Sequence, residues 1–553
     1  MSNSGWNMYV FRDGRRMVSG AELLASLSGA LCRWGMAPRG RTEDLALLAL
    51  IAAGELECAL LDAPNSDIPG DDSAALAGQI TDALAYAVLT GEKHSLSSIL
   101  QMAERISAPS TYPVAVQEGF AYYALHPRKL AALVERLPLG RQTSVLGIRS
   151  IGVTLSAVAC AALCRRGIEC QRMTVRPTGH PYDRKLEANS VLREWISRSS
   201  DADFLVVDEG PGISGSSFLA VAEALTECGV ESRQIHLLGT REIDPANLRA
   251  ENAPARWQRY EYHCVQSAPL LPAEAGESLS GGTWRRHFTC EEEDTPATWA
   301  PLEPAKFIAS DGRSIFKFEG FGHYGEEAGE RALLLAGHNF SPRYLGNSRG
   351  FGRYELLPGR MLSLGDRSPE LIDHMAEYLA WRAGAFASTE PQTPELEQML
   401  RWNWQSEFDE ELSPGESRLE VAHLTVCDAR IMPHEWFLTT EGRLLKLDAA
   451  GHGDNHFFPG PCDIAWDVAG AIVEWEMLGL VRERFLSTYE AHSGDAIRER
   501  LAAYILAYAI FRLGWCKMAA LAMQGEFDQA LLERDYTRYR TLAPHLRRTA
   551  KAA

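Results

Sequence analysis

Short apolar runs alternate with helical stretches in the middle of this chain. The runs cover residues 143–148, 170–176, 204–207 and 235–239, and stretches with helical character lie between them. Strands that alternate with helices in this way form a parallel sheet covered by helices. Ligands of such sheets bind at the carboxyl ends of the strands, so we expect a site in the loops that follow the runs.

The length and charge of the chain set further limits. At roughly 100–200 residues per domain, its 553 residues predict about three domains. The formal net charge is −18, whereas a protein that coats nucleic acid needs a basic face, so nucleic acid is not expected as a partner. The apolar stretch 501–523 is interrupted by Arg512 and Lys517, and it predicts a buried helix rather than a membrane span.

The cysteines indicate the compartment. The chain has 11 of them, scattered singly and without a C-x-x-C pair, as is typical of free thiols in a reducing environment. Residues 1–20 lack the apolar core of a secretory signal. These features predict a cytoplasmic protein with no membrane partner, and they leave the oligomeric state open.

The chain is interpreted as multidomain. A helical module is predicted over residues 1–112, an α/β domain with a parallel sheet over 113–270, and an α+β domain over 306–553. Residues 271–305 are rich in Pro, Gly, Ser and Glu, and they are interpreted as a linker anchored in part by its tryptophans.

The segment 204–216 carries the strongest chemical signal. An apolar strand ends in Asp208 and Glu209, a Gly- and Ser-rich loop follows, and a helix begins. Amides of such a loop at a helix N-terminus bind phosphate oxygens, and the two carboxylates can accept bonds from ribose hydroxyls or hold Mg²⁺. The pattern predicts a sugar-phosphate site; the alternative is a strand–turn–helix with two solvated carboxylates and no ligand.

This segment resembles the phosphoribosyl-diphosphate (PRPP) motif of type I phosphoribosyltransferases. The family follows its strand with two acidic residues and a Thr-Thr-Gly-Gly-Thr loop, from which this chain departs at Gly212, Ile213 and Ser214. The resemblance includes the loop 149–152, where the family binds diphosphate, and the segment 176–184, where it has a mobile catalytic flap.

The resemblance implies a Mg²⁺-dependent transferase that acts on PRPP or a nucleotide-like molecule. It implies catalytic roles for Asp208, Glu209 and Arg149, the two acidic residues also binding the metal. Substrate contacts are implied for three groups of residues: the loop residues Gly210, Gly212, Ile213, Ser214, Gly215 and Ser216, the first-loop residues Ser150 and Gly152, and the flap residues Arg176, His180 and Arg184. For His180 and Arg184, solvated loop positions are an equal alternative.

The 306–553 region resembles the aminoglycoside phosphotransferase and related small-molecule kinase fold. Lys317 lies in a short strand and Glu330 on the next helix, with Glu327 as an alternative partner. Kinases pair such a lysine and glutamate to place a cation on the nucleotide phosphates. The segment 354–358, which contains Glu355, resembles the hinge that meets adenine. These residues imply that the region binds ATP.

Two registers compete for the catalytic end of this region. In the preferred one, Glu435 and Asp448 flank a hairpin and bind Mg²⁺, and Asp428 is the catalytic base. In the other, residues 452–456 spell His-Gly-Asp-Asn-His, which matches a family string and makes Asp454 the base. That string also has the residue types of a metal site, although a polar loop is the simpler interpretation.

The predicted function is a phosphoribosyltransferase whose kinase-like domain phosphorylates a related small molecule. Two alternatives stay open. The chain is then either a sensor of PRPP or nucleotides with a pseudokinase interaction module, or a small-molecule kinase with a regulatory α/β domain. The preferred register lacks the family's usual His-x-Asp and Asn, and this absence is the reason for the pseudokinase alternative.

Overall fold

The computed structural model divides the chain into two compact units. The first unit comprises residues 15–270 and 320–324, and the second comprises residues 8–14, 271–319 and 325–552. The residues that the structure describes are 8–38, 41–63, 71–93, 96–140, 142–199, 201–265, 269–288, 295–390, 392, 394–451, 453 and 455–552.

The first unit begins with helices and continues with alternating strands and helices. Its elements are β1 (Arg16–Ser19), α1 (Gly20–Gly35), α2 (Thr42–Leu61), α3 (Ser73–Thr90), α4 (Leu96–Ala103), β2 (Thr111–Val114), α5 (Glu118–Ala121), α6 (Pro127–Val134), β3 (Gln142–Ile148), α7 (Ile151–Arg165), β4 (Glu169–Val175), β5 (Thr178–His180), β6 (Asp183–Lys185), α8 (Ser190–Ser197), β7 (Asp203–Val207), α9 (Ser216–Glu227), β8 (Ile235–Gly239), α10 (Ala253–Trp257) and β9 (Glu261–Cys264).

The predicted parallel sheet is confirmed. Its strand order is β4-β3-β7-β8-β9, and every neighbouring pair is parallel. Residues 204–207 of β7 are fully buried, as expected for a strand covered on both faces. The edge strand β9 was not predicted, because Glu261 and His263 interrupt the apolar pattern there.

The second unit is built from antiparallel sheets and long helices. Its elements are β10 (Ala275–Ser278), α11 (Arg285–Phe288), β11 (Lys306–Ala309), β12 (Ser314–Phe318), α12 (His323–Gly337), β13 (Tyr344–Ser348), β14 (Phe351–Glu355), β15 (Gly359–Met361), α13 (Pro369–Ala385), α14 (Glu395–Phe408), α15 (Pro414–Ser417), β16 (Leu424–Thr425), β17 (Trp436–Thr439), β18 (Leu444–Lys446), β19 (Cys462–Asp463), α16 (Ala465–Glu474), α17 (Gly479–Ser493), α18 (Arg498–Ala522) and α19 (Phe527–Ala552).

Two of these sheets position the candidate site. The larger has the order β10-β11-β12-β14-β13, and the smaller has the order β15-β17-β18. Strands β17 and β18 form the hairpin that the sequence predicts, and Gly442 takes a φ of 82° at its turn. A glycine suits this turn because it adopts positive φ without a steric penalty.

The segment predicted as a linker is part of the second unit. It contributes β10 and α11, and Trp284 and Trp299 are both buried. The indole N–H of Trp284 donates to Glu303 Oε1 at 2.9 Å. The polar composition of the segment 271–305 thus led to the interpretation as a linker, although its two tryptophans are buried in the second unit.

Helix α18 contains the long apolar stretch of the chain. By length and hydropathy it is one candidate for a membrane span among the described residues, and 83% of its apolar window is buried inside the protein. Arg512 lies 3.8 Å from Glu474 and Lys517 lies 2.8 Å from Glu407, so the charges that interrupt the stretch have partners.

Candidate functional site

The acidic pair of the first unit lies at the carboxyl end of β7, as predicted. Asp208 and Glu209 are half-buried, and their carboxylates accept hydrogen bonds from backbone amides. Glu209 accepts from the Gly119 N–H at 2.7 Å, and Asp208 accepts from the Glu209 N–H at 2.8 Å. Burial raises the pKa of Asp208 to about 7, and burial together with Glu118 raises that of Glu209 well above its ordinary value.

The glycine-rich loop is already engaged by the segment predicted as a flap. Strands β5 and β6 make that segment a hairpin, and the Pro181 carbonyl at its tip accepts bonds from Ser214 Oγ at 2.8 Å and Ser216 Oγ at 2.6 Å. Gly212 and Gly215 have positive φ, which lets the loop turn into α9. The two hydroxyls expected to meet phosphate therefore donate to protein.

The arginines of this site are paired with a carboxylate that the sequence did not single out. Arg149 Nη1 lies 3.1 Å from Asp62 Oδ1, and Arg176 Nε lies 2.8 Å from the same carboxylate. Burial raises the pKa of Asp62, but the two arginines outweigh it and hold the pKa below its ordinary value. Asp62 follows α2, far from this site in sequence, so no motif could have indicated the contact.

The remaining residues of this predicted site lie around the same strand ends. Ser150 and Gly152 are at the start of α7, where a Cβ on Gly152 would be 2.8 Å from the Val207 carbonyl oxygen. Gly210 and Ile213 lie in the loop before α9. His180 is exposed on the hairpin, and Arg184 Nη1 donates to the Gly179 carbonyl at 2.7 Å.

The second unit contains a cavity of about 160 Å³. Its polar lining brings together residues that are far apart in sequence. Lys306, Lys317 and Lys446 lie on strands of the two sheets, and Glu435 and Asp448 flank the β17–β18 hairpin. Its apolar wall includes Ile315, Leu356, Leu357, Met361, Phe437 and Leu447. The predicted hinge residue Glu355 also lines it. A largely apolar lining with a few convergent charged groups is typical of a small-molecule site.

Two lysines of the cavity lining converge on Asp448. Lys306 and Lys317 are directly opposite each other on β11 and β12, so their side chains leave the same face of the sheet. Lys317 Nζ lies 3.6 Å from Asp448 Oδ1, and Lys306 Nζ forms a short ion pair with Asp448 Oδ2. Burial lowers the pKa of Lys306, but Asp448 and Glu303 outweigh it and hold the pKa above its ordinary value.

The glutamate partner of Lys317 is not the predicted one. In the described part of the chain, Lys317 Nζ contacts the carboxylates of Glu319, at 3.3 Å, and of Asp448. Glu330 is exposed on α12, and Glu327 is exposed one turn before it. Glu319 lies two residues after Lys317 on the same face of the extended chain, so a partner within the strand replaces the expected partner on the helix.

Asp428 is enclosed behind the cavity. It is fully buried, Tyr378 donates to its Oδ2, and Lys446 Nζ lies 3.3 Å from its Oδ1. Lys446 is itself fully buried and lies 3.8 Å from Glu435 Oε2. This lysine therefore joins the predicted base to a predicted metal ligand. The sequence analysis missed it because a lysine in a short strand has no distinguishing pattern.

Glu435 and Asp448 fit a magnesium ion by their donor chemistry. Both carboxylates line the cavity, and oxygen donors of this type are the ones that Mg²⁺ takes. Each already has an ammonium partner, so an incoming ion competes with Lys306, Lys317 and Lys446 for them. In the other register, His452 and Asp454 lie outside the described residues. His456 is buried against Phe11 and Phe457, and burial lowers its pKa to about 3.

Comparisons with known proteins give structural neighbours only. No family model and no curated protein matches the chain. Its fold is similar to that of choline kinase LicA from Streptococcus pneumoniae, with 16% identity, a TM-score of 0.32, and coverage of 49% of this chain and 94% of that one. It is also similar to a choline/ethanolamine kinase family protein from Mesorhizobium loti (14% identity, TM-score 0.34, coverage 52% and 96%) and to an aminoglycoside phosphotransferase from Alicyclobacillus acidocaldarius (14%, 0.32, 52% and 98%).

The predicted enzyme class is wrong. The similar structures reported above are named as kinases and phosphotransferases, and they give no support to a phosphoribosyltransferase. The contacts of the first unit agree with this correction, because Asp62 holds Arg149 and Arg176 and Pro181 holds the serine hydroxyls. The groups expected to bind diphosphate and phosphate are bonded within the protein.

Proposed function

We propose that this chain is a small-molecule kinase that binds ATP in the cavity of its second unit. The observation that carries the proposal is the convergence of Lys306 and Lys317 on Asp448 in a cavity that many apolar side chains also line. Two ammonium groups can bind the negatively charged oxygens of a triphosphate. The triphosphate then competes with Asp448 for these ammonium groups. The proposal corresponds to the alternative given in the sequence analysis, a small-molecule kinase with a regulatory α/β domain.

The apolar wall is suited to an adenine ring. Leu356 and Leu357 follow β14 directly, and Met361 and Phe437 come from the smaller sheet. Burying a flat ring between such side chains stabilises it through the removal of apolar surface from water. The proposed nucleotide thus lies with its base near the hinge residue Glu355 and its phosphates near Lys317.

Glu435 and Asp448 are the residues proposed to hold Mg²⁺. The ion, when bound, neutralises charge on phosphoryl oxygens. Lys306 and Lys317 orient the phosphates from the other side. An acceptor has room in an adjoining cavity of about 640 Å³, which shares Met361, Arg430 and His434 with the nucleotide cavity.

The environment of Asp428 favours a second candidate, a pseudokinase that binds nucleotide without transferring phosphate. A base must reach the proton of its substrate within hydrogen-bond distance. Asp428 has no exposed surface and is bonded to Tyr378 and Lys446. It acts as a base only if Lys446 releases it.

Titration of the full chain with ATP and Mg²⁺ tests both candidates. Lys317→Ala removes one phosphate-binding ammonium, and a charged hydrogen bond of about 1.5–3 kcal/mol corresponds to a loss of affinity of roughly 10–100-fold. Lys185→Ala is the matched control, since Lys185 is exposed on the β5–β6 hairpin.

Consumption of ATP separates the outcomes. A kinase binds ATP and consumes it, and Lys317→Ala weakens the binding and lowers the consumption. A pseudokinase binds ATP with the same dependence on Lys317 and consumes none. Unchanged ATP affinity in Lys317→Ala contradicts both candidates.

A further inference from the structure

Three metal-ligating side chains meet on the outer strands of the parallel sheet in the first unit. The parallel register places His236 on β8 beside Glu261 on β9, and Leu238 beside His263. Alternate residues of a strand share a face, so Glu261 and His263 both lie on the side of His236. Neither the kinase proposal nor the predicted phosphate site uses these residues.

The distances between the three donor groups are close to the edges of a metal tetrahedron. His236 Nδ1 is 3.1 Å from His263 Nε2, Glu261 Oε2 is 3.5 Å from His236 Nδ1, and Glu261 Oε1 is 3.6 Å from His263 Nε2. For bonds of about 2.0–2.1 Å around Zn²⁺, the edges of a regular tetrahedron are about 3.3–3.4 Å. The three atoms also lie within 4.8 Å of one another as a group. A single ion can therefore reach all three.

We propose that His236, Glu261 and His263 form a Zn²⁺ site. Two imidazole nitrogens and one carboxylate are a donor set that zinc takes, and three protein ligands leave a fourth position for water. His236 is 6% exposed and fixed in the sheet, whereas the side chain of Glu261 is 61% exposed. The rigid histidines define the position of the ion, and the glutamate leaves it open to solvent.

The site connects the edge strand to its neighbour. β9 has one partner strand, β8, and is the last strand of the sheet. An ion held by residues of both strands ties them together through side chains as well as backbone. Because the site requires the paired strands, the ion binds the folded chain in preference to the unfolded one and stabilises it.

The test is a titration of the full chain with Zn²⁺ in a buffer that contains excess Mg²⁺, which occupies sites made only of carboxylates. We expect one Zn²⁺ per chain, and an unfolding midpoint that rises with the Zn²⁺ concentration. His263→Ala is expected to weaken binding by more than about 100-fold, since the loss of even an outer partner of a ligand costs about 10–100-fold.

Two further variants keep the test decisive. Glu261→Gln changes an exposed side chain that the fold does not need, so it reports on the site even if His263→Ala unfolds the chain; we expect it to weaken Zn²⁺ binding and to remove the dependence of the unfolding midpoint on Zn²⁺. His287→Ala is the matched control, because His287 pairs with Glu277 at 3.2 Å without a second histidine in the described structure.

Cobalt supplies a readout that is independent of affinity. Co²⁺ in a four-coordinate site absorbs visible light more strongly than the hydrated ion, and we expect this band in the wild type and in His287→Ala but not in His263→Ala. The proposal is overturned if the wild type binds no Zn²⁺, or if the Zn²⁺ bound is unaffected by Glu261→Gln and His263→Ala.

Discussion

The acidic residues of the two predicted sites have different partners. In the second unit, the two carboxylates proposed to hold Mg²⁺ face ammonium groups: Asp448 has Lys306 and Lys317, and Glu435 has Lys446. In the first unit, the carboxylates of Asp208 and Glu209 accept bonds from backbone amides, and Glu118 adds like charge. Burial and the like charge of Glu118 favour the protonated forms of Asp208 and Glu209, and they outweigh these amide bonds, which favour the ionised forms.

This difference shows why an acidic motif is a weak guide to a site. The pair that stands out in the sequence is poorly compensated, and the arginines that the motif assigns to it bind Asp62. The carboxylates of the cavity are separated along the chain, but the fold surrounds them with lysines. A candidate site is therefore identified by the charged groups that contact each other in the folded chain. Three variants test the difference between the two units.

The largest effect is expected at Lys446. Lys446→Met removes the buried ammonium and leaves Asp428 and Glu435 uncompensated, which costs about 3–5 kcal/mol in the free energy of unfolding. Chemical denaturation of the full chain measures it. The double variant Asp428→Asn/Lys446→Met should recover part of the loss, because it removes one of the stranded charges. A loss below about 0.5 kcal/mol in Lys446→Met would contradict the prediction that Lys446 compensates the charges of Asp428 and Glu435.

A smaller effect of opposite sign is expected at Asp208. Its pKa is about 7 in the folded chain and about 3.9 in the unfolded chain, so folding takes up a proton between these values. The contribution of Asp208 to the free energy of unfolding is therefore fully present below about pH 4, and it is lost as the pH rises through 7. Asp208→Asn should be more stable than the wild type at pH 8 by on the order of 2 kcal/mol, after discounting the shift for solvent access.

Denaturation at pH 5 and pH 8 checks this prediction. The gain of Asp208→Asn should shrink at the lower pH, where the wild-type carboxyl is protonated too. Asp201→Asn, at an exposed position of the same unit, should show no such dependence on pH. A gain that is equal at both values would mean that the charge of Asp208 is not the cause.

The smallest effect is expected at Asp366, a compensated carboxylate of the second unit. Arg360 and the Ser363 N–H lower its pKa to about 2. Its contribution is present above pH 3.9 and is lost as the pH falls through 2, so Asp366→Asn should be less stable by about 1 kcal/mol at pH 7. Denaturation at pH 7 and at pH 2–3 tests whether this difference vanishes in acid. Asp183→Asn, which breaks an exposed pair with Lys185, should have no measurable effect.

Much of the architecture could be predicted because it depends on local periodicity. Four of the five strands of the parallel sheet, the strand of Lys317 and the hairpin from 436 to 446 all lie where the apolar pattern places them. β9 and the segment 271–305 escaped prediction, since polar residues mask elements that pack through a few buried positions such as Trp284 and Trp299. Periodicity is weak when an element is short or lies at an edge.

The candidate site could be predicted only in part. Lys317, Glu355, Glu435 and Asp448 were all found in sequence and do line one cavity. Lys306 and Lys446 were not found, because a lysine is distinguished from a surface residue only by its burial.

The sequence by itself determined where strands and helices form and that acidic residues end a buried strand. These properties depend on neighbours within a few residues. Only the tertiary structure decided which charges meet. Asp62 reaches Arg149 and Arg176, Lys306 reaches Asp448, and His236 reaches His263, each across a separation that no local pattern records. Electrostatic interactions act through space, so the partners that set a group's ionisation are fixed when the chain folds.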